Sequence, residues 1–206
     1  MSLLLALLLS FGAGAAPGGH PGGRGPQRGC AARPAYARVG WGALGPDPTL
    51  RLASASFRNL QRIPVAHTCD GTARTSAELH WSGAPQGTRS LALIMFDPDA
   101  RPPRGFVHWV VYDIPARVHA IPSGQYSAAE LPGGGVEGDN GRGQLGFVPS
   151  CPGPGKPHHY TFTLYALSVP SLGLAAGATR EQVLAAMQGK VLAETKLVGL
   201  YNRATQ

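Results

Sequence analysis

Charged residues are scarce in this sequence, at 14% of 206 residues, and acidic residues are the scarcer kind, so the formal net charge is +7. The surplus lies near the beginning. Between Pro17 and Arg62 seven arginines face one aspartate, whereas from Ile63 onward 11 basic residues nearly balance 10 acidic ones. No aromatic residues interleave with the first of these arginines, as a base-stacking surface would require. We therefore expect no nucleic-acid partner.

Apolar runs long enough to span a bilayer are also lacking. The block LLLALLLSFGAGA, from Leu3 to Ala15, is too short to cross a membrane comfortably as a helix but has the length of an export signal. The small residues Ala13 to Ala15 predict a signal peptide over 1–15 and an exported protein, periplasmic or secreted. Its first residues carry no Lys or Arg, so a non-cleaved apolar terminus is the alternative. Residues 16–48 form a low-complexity Gly/Pro/Arg-rich linker, and 49–206 are predicted as one domain.

Cysteines are few, and their spacing excludes several kinds of site. No CxxC or Cys/His spacing indicates a structural zinc, and the GxSxG and HExxH motifs of hydrolases are missing. We therefore expect no cofactor. Of Cys30, Cys69 and Cys151, the last two lie in the predicted domain and are the favoured disulfide pair, with two buried free thiols as the alternative.

The domain shows the short apolar or alternating runs that are typical of a β-sandwich. The predicted strands are Thr49 to Phe57, Ala77 to Trp81, Ser90 to Phe96, Phe106 to Ile114 and His159 to Ser168. We therefore predict a mainly β fold of two packed antiparallel sheets.

One helix is predicted near the C-terminus. Thr179 and Gln182 have the spacing of a capping box, and Gly189 ends the helical pattern. The following KVLAETKLVGLY segment is interpreted as a last strand, with an extension of the helix as the alternative. Between the strands, residues 131–157 form a Gly/Pro-rich loop of a length that is usually functional or disordered.

Polar side chains cluster at the ends of the central strands. Asp97 and Asp99 follow the first of them in a turn that Pro98 stiffens, and His108 lies in the second. Strict alternation would place His108 on one face with Phe106, Val110 and Tyr112. A solvated turn and a hydrogen-bonded core histidine are the structural alternatives.

A second polar pair follows the Gly/Pro-rich loop, where His158 and Tyr160 point to the same face of a strand. If they meet the Asp pair and His108, they form a small pocket whose imidazoles and phenol donate hydrogen bonds to an anion, with a carboxylate orienting a ring.

The order of the motifs resembles the phosphatidylethanolamine-binding protein family, in its bacterial Raf-kinase-inhibitor-like branch. The resembling segments are IPVAHTCDGTARTSAELHW, SLALIMFDPDA, FVHWVVYDIP, HHYTFTLYAL and VLAAMQGKVLAETKLVGLYNR, and they run from about Leu50 to Arg203. The resemblance implies a Greek-key sandwich with a small anion-binding cavity. By position, Asp97, Asp99, His108, His158 and Tyr160 match the family's ligand-binding motifs. The resemblance also implies phospholipid-headgroup binding and inhibition of a kinase or protease.

Two departures from the family pattern concern this cavity. Arg101 is inserted in DPDARPP, and His159 stands where the family has arginine. We expect an exported anion- or phospholipid-headgroup-binding protein that is not an enzyme. The alternatives are an Asp/His-dependent hydrolase and an inhibitor that acts through a loop without a ligand, and a homodimer stays open.

Overall fold

A computed structural model describes residues 49–203 except 102 and 125. The predicted signal peptide (1–15) and the whole of the predicted linker (16–48) lie outside the described residues, so these two predictions stay predictions. The described part is mainly β, with two sheets and one α-helix near the C-terminus, which confirms the predicted fold class. No helix in this part is long and apolar enough to cross a membrane.

The strands are short at the edges and long in the centre. In chain order they are β1 (Arg51–Ala53), β2 (Gln61–Arg62), β3 (Leu79–Ser82), β4 (Ser90–Asp97), β5 (Phe106–Pro115), β6 (Ala120–Ile121), β7 (Val136–Glu137), β8 (His158–Leu167) and β9 (Val191–Tyr201). Helix α1 spans Arg180–Ala186, and a short 3-10 helix covers Val65–His67.

The strands form a small sheet of order β1-β3-β6 and a large one of order β2-β9-β8-β4-β5-β7. Neighbouring strands in both are antiparallel except β2 and β9. The predicted strands β4, β5 and β8 are central, as their apolar residues on both faces require. The first strand, β1, covers only Arg51–Ala53 and is shorter than the predicted strand from Thr49 to Phe57.

Two apolar cores lie on opposite faces of the large sheet. Between the sheets, side chains such as Trp81, Leu93 and Leu164 are buried together. On the other face, α1 buries Val183 and Met187 against residues such as Ile94. Each fully buried aliphatic side chain contributes about 1.5–3 kcal/mol relative to exposure. The large sheet is therefore a rigid middle layer, and its strand ends hold the polar residues.

The predicted helix start and last strand are confirmed. The Thr179 hydroxyl accepts a bond from the Gln182 backbone N–H, and the Gln182 side chain accepts one from the Thr179 N–H. α1 ends at Ala186 with Met187 as its C-cap, and Gly189 has a φ of 70° in the turn that follows, a conformation of little cost for glycine. β9 pairs along β8 for most of its length.

One predicted strand face is only half right because β5 contains a bulge: Phe106 and His108 share the cavity side, with ring centres 4.8 Å apart, but Val110 and Tyr112 lie on the other face. Met95 of β4 pairs with Trp109 and Phe96 with Val107, so His108 is an extra residue without a partner in β4. The bulge resets the alternation. Val107, Val110 and Tyr112 pack on the α1 face, whereas the His108 ring contacts Tyr160, a residue of the core between the sheets.

The Gly/Pro-rich loop is ordered by backbone and aromatic contacts. Its backbone N–H groups cover the outer edge of β5, where Gly138 donates to Val110 O and Gly141 to Val107 O, both at 2.8 Å. Trp109 packs edge-on against Phe147 of the loop, with ring centres 5.7 Å apart, and donates its indole N–H to Glu137 Oε2 at 2.8 Å. Burial raises the pKa of Glu137 to about 7. The loop is therefore packed against β5 as part of the folded domain.

Candidate functional site

A cavity of about 280 Å³ opens where the end of β4 meets the beginnings of β5 and β8. Four of the five predicted ligand-binding residues line it: Asp97, His108, His158 and Tyr160. Segments far apart in the chain therefore meet, as the sequence predicted. Asp99 does not line the cavity.

Asp97 is the buried anchor of the site, with only 2% of its surface exposed. Its Oδ1 accepts backbone N–H bonds from Asp99 (2.9 Å) and Ala100 (3.1 Å), which fixes the turn after β4. Its Oδ2 accepts from His158 Nδ1 at 2.8 Å. Both carboxylate oxygens are thus occupied, and the carboxylate orients a ring rather than facing the cavity unpaired.

A second carboxylate-histidine pair lies outside the cavity. Asp99 Oδ2 accepts from the His159 backbone N–H at 2.7 Å and from His159 Nδ1 at 2.8 Å. Burial disfavours ionisation of Asp99, but these hydrogen bonds outweigh it and hold its pKa below the usual value. His159 therefore binds the second aspartate of the turn. The Asp97–His158 and Asp99–His159 pairs thus connect the end of β4 to the beginning of β8.

His108 is held by a reciprocal contact with the loop before Cys151. The Val148 backbone N–H donates to His108 O, and His108 Nδ1 lies 2.8 Å from Val148 O. A carbonyl oxygen only accepts, so Nδ1 carries the proton. Burial lowers the pKa of His108 to about 4, so the ring is neutral at pH 7. The sequence predicted that His108 donates to an anion, but its Nδ1 proton is already bonded to Val148 O.

Tyr160 provides an unused donor inside the cavity. Its side chain is fully buried, and the hydroxyl has no hydrogen-bond partner among the described residues. Burial, and secondarily the Asp97 carboxylate, raises the pKa of Tyr160, so the hydroxyl keeps its proton. The neighbouring Ser150 hydroxyl acts in the opposite direction on the pKa of Tyr160, but burial outweighs it. Buried polar groups without partners are uncommon, and the Tyr160 hydroxyl, which lines the cavity, indicates a place for a polar ligand.

Two arginines, Arg101 and Arg142, line the cavity mouth, and the sequence pattern indicated only Arg101. Arg101 has a φ of 45°, and its guanidinium lies 5.4 Å from the centre of the Phe106 ring. Arg142 lines the opening from the Gly/Pro-rich loop. Arg101 stood out as an insertion in a motif, whereas Arg142 lies in a segment without periodicity. Together they add positive potential at the entrance of a cavity whose one lining carboxylate is already bonded.

The remaining wall is tied down by a disulfide. Cys69 and Cys151, the favoured pair, are bonded, and their sequence separation is 82. The Cys69 backbone N–H also donates to Ser150 O at 3.0 Å, and Thr68 forms an isolated bridge with Ser150. Since Cys151 and the prolines on either side of it line the cavity, this bond fixes one side of the mouth.

The described side chains around the cavity do not form a metal-binding site. No group of three or more His, Cys, Asp or Glu side chains with a metal-binding arrangement occurs among the residues that the structure describes. The cavity offers instead one buried phenol, two imidazoles and two guanidinium groups, which suit an oxyanion.

Comparison with known proteins agrees with the fold and the order of the motifs. The family model described as phosphatidylethanolamine-binding protein matches residues 53–202. The chain belongs to this family. A UPF0098 protein from Methanothermobacter thermautotrophicus is 44% identical over 154 residues, which cover 75% of this chain and 99% of that protein. UPF0098 protein YbcL from Escherichia coli is 37% identical over 159 residues, or 73% of this chain and 86% of the relative.

Solved structures of family members show the same architecture. Escherichia coli YbcL, described as a member of the mammalian PEBP family, superposes with a TM-score of 0.70 at 31% identity, covering 75% of this chain and 99% of that one. A PEBP homolog from Chlamydia trachomatis gives a TM-score of 0.67 at 34% identity, with 75% and 98% coverage. A Mycobacterium tuberculosis relative named lipoprotein LppC is 38% identical over 74% of this chain and 72% of its own length.

Proposed function

We propose that this member of the phosphatidylethanolamine-binding protein family binds a small phosphate-like anion, free or as a headgroup, in the cavity at the end of β4. The observation that carries the proposal is the buried Tyr160 hydroxyl, which lines the cavity and has no partner among the described residues. Leaving such a donor unsatisfied costs about 1–3 kcal/mol, which a bound oxyanion would recover.

The electrostatics of the cavity support an anion. The Asp97 carboxylate would repel one, but its oxygens are occupied by two backbone N–H groups and the His158 ring. His158, oriented through Nδ1, keeps Nε2 for a ligand. Arg101 and Arg142 at the mouth attract an incoming anion.

A titration followed by NMR tests this proposal. Inorganic phosphate and phosphoethanolamine are added separately while the ring signals of His158 and Tyr160 are recorded, with the exposed His119 as an internal control. We expect saturable shifts at His158 and Tyr160 and none at His119. Unchanged His158 and Tyr160 signals at millimolar concentrations of both ligands would rule out anion binding in this cavity.

We also propose that the protein is exported and acts on a partner protein, a kinase or protease, as an inhibitor. The Cys69–Cys151 disulfide supports export, because such bonds persist mainly in oxidising compartments, and one relative is named a lipoprotein. Once an inhibited enzyme is identified, His158→Ala distinguishes two modes. Loss of inhibition places the working surface at the cavity, whereas full inhibition places it on a loop.

A second candidate function is hydrolysis, which the 2.8 Å contact between Asp97 and His158 favours. A buried carboxylate that holds Nδ1–H leaves His158 Nε2 as a base able to activate water. We rank it below binding because the cavity wall offers no nucleophile paired with this ring. Turnover of a phosphomonoester that is lost in Asp97→Asn, with the fold intact, would establish hydrolysis; no turnover leaves binding as the function.

A further inference from the structure

The proton of His108 is fixed by the backbone. His108 and Val148 exchange two hydrogen bonds at 2.8 Å, in which the Val148 N–H donates to His108 O and the His108 Nδ1–H donates to Val148 O. The pairing exists because His108 is the bulged residue of β5 and has no partner in β4. A ring flip or the other tautomer would leave the buried Val148 carbonyl without its donor.

The neutral ring therefore offers an acceptor to the cavity. With Nδ1 committed, Nε2 carries a lone pair, and no described residue bonds to it. The charged and titratable groups that act on His108 are Asp97, Arg142 and His158. Ring burial outweighs the Asp97 carboxylate, so a second proton on His108 is disfavoured at neutral pH.

Three other groups around the cavity are donors. Tyr160 contributes a phenol O–H, and Arg101 and Arg142 contribute guanidinium N–H groups. These groups suit the unprotonated oxygens of any oxyanion and do not distinguish phosphate from sulfate. His108 Nε2, whose lone pair is fixed by the Nδ1–H bond to Val148, requires a hydrogen on the ligand.

We propose that His108 makes the cavity selective for oxyanions that carry a P–OH group, namely inorganic phosphate and phosphomonoesters, over sulfate and phosphodiesters, and therefore for a free phosphate or phosphomonoester over the diester headgroup of an intact phospholipid. The proposal rests on anion binding in this cavity. An anion without a proton would bring an oxygen lone pair against the lone pair of Nε2, leaving a buried acceptor unpaired. A site built to bond a ligand hydroxyl rejects an analogue that lacks it far more strongly than an apolar pocket rejects a change of size.

Two matched pairs of ligands test the selectivity by calorimetry. At pH 8 inorganic phosphate is mainly HPO₄²⁻, which has the charge and tetrahedral shape of sulfate but one P–OH. At pH 5.5 methyl phosphate is mainly a monoanion with one P–OH, since its second pKa is about 6, and dimethyl phosphate is a monoanion without one. At constant ionic strength we expect the protonated member of each pair to bind on the order of 10- to 100-fold more tightly.

The outcomes separate the selectivity from the binding itself. Equal affinities within each pair would overturn the role of His108 while leaving anion binding intact. If none of the four anions binds, anion binding fails and the selectivity fails with it. Phosphate and methyl phosphate binding with sulfate and dimethyl phosphate much weaker supports both.

A variant and a spectroscopic measurement assign the effect to His108. In His108→Asn the side-chain amide can still donate to Val148 O, but the acceptor at the Nε2 position is lost. The phosphate-to-sulfate affinity ratio should fall to within about threefold of unity, while the exposed control His119→Asn keeps the wild-type ratio. Should His108→Asn not fold, ¹⁵N NMR of the wild type decides: a protonated Nε2 of His108 at pH 7 would overturn the proposal, and a bare Nε2 supports it.

Discussion

Removal of the Cys69–Cys151 disulfide should lower the free energy of unfolding by about 3–4.5 kcal/mol. The bond closes a loop with a sequence separation of 82, which contains β3 to β7 and most of the cavity. In the chain-entropy treatment, the stabilisation is about 3 kcal/mol for a 15-residue loop and about 4.7 kcal/mol for a 100-residue loop. For this separation the same relation gives about 4.5 kcal/mol, an upper value because unfolded chains retain some compactness.

The comparison uses Cys30→Ser as the background, so that no third thiol takes part in exchange. Cys30→Ser with the disulfide intact is the control, and Cys30→Ser with Cys69→Ser and Cys151→Ser is the test protein. Urea unfolding followed by tryptophan fluorescence gives the free energy of unfolding and its denaturant dependence. We expect a loss of about 3–4.5 kcal/mol and a steeper dependence, because the unlinked unfolded chain exposes more surface.

The same pair of proteins reports on the cavity. The segment around Cys151 also carries Val148, which fixes His108, and Ser150, which bonds to the Cys69 backbone. Phosphate affinity should therefore fall in the disulfide-free protein even under conditions where it is fully folded. A loss of stability below about 1 kcal/mol would refute the reasoning, since the bond would then constrain the unfolded chain far less than its loop length implies. Unchanged phosphate affinity would show that backbone bonds alone hold the wall.

Three further predictions concern charge, cavity and helix. Burial raises the pKa of Glu137 from 4.5 to about 7, so between these pH values the folded state retains a proton that the unfolded state has lost. The free energy of unfolding should therefore fall by about 3 kcal/mol as pH rises from 4.5 through 7. In Glu137→Gln, which keeps an acceptor for Trp109, thermal unfolding should no longer show this decrease in stability with pH. A pH profile identical to that of the wild type would contradict the raised pKa of Glu137. Arg142→Gln should weaken phosphate binding about 3- to 10-fold, with less effect at 0.5 M salt, whereas the exposed Arg117→Gln, which lies outside the cavity lining, should match wild type in calorimetry. Thr179→Ala should lower the free energy of unfolding by about 1 kcal/mol in urea titrations, and no loss would mean that the capping box contributes nothing.

The elements that the sequence predicted correctly are those whose signal is local. The long strands β4, β5 and β8 carry continuous or alternating apolar residues, and the capping box is a spacing of three residues. The two-residue strands β2, β6 and β7 escaped prediction, because two residues carry no periodicity and pair only through tertiary contacts.

The candidate site divides in the same way. Asp97, His158 and Tyr160 were predictable because each lies at a definite position in a strand or turn. Arg142 was not, because a Gly/Pro-rich loop gives no indication of which side chain returns to the cavity. Val110 and Tyr112 were wrongly predicted to share the face of His108, because a bulge is a property of two paired strands and a single strand's alternation does not reveal it.

That bulge connects the fold to the chemistry of the cavity. With regular alternation His108 would share the α1 face with Val110 and Tyr112, far from Tyr160. The extra residue turns the ring to the cavity and also frees its backbone carbonyl for Val148, which in turn fixes the Nδ1 proton. Val148 is held in place by a segment that the disulfide anchors to the 3-10 helix region. The tautomer of His108 therefore depends on the β5 bulge and on the Cys69–Cys151 disulfide, whose Cys151 lies 43 residues after His108.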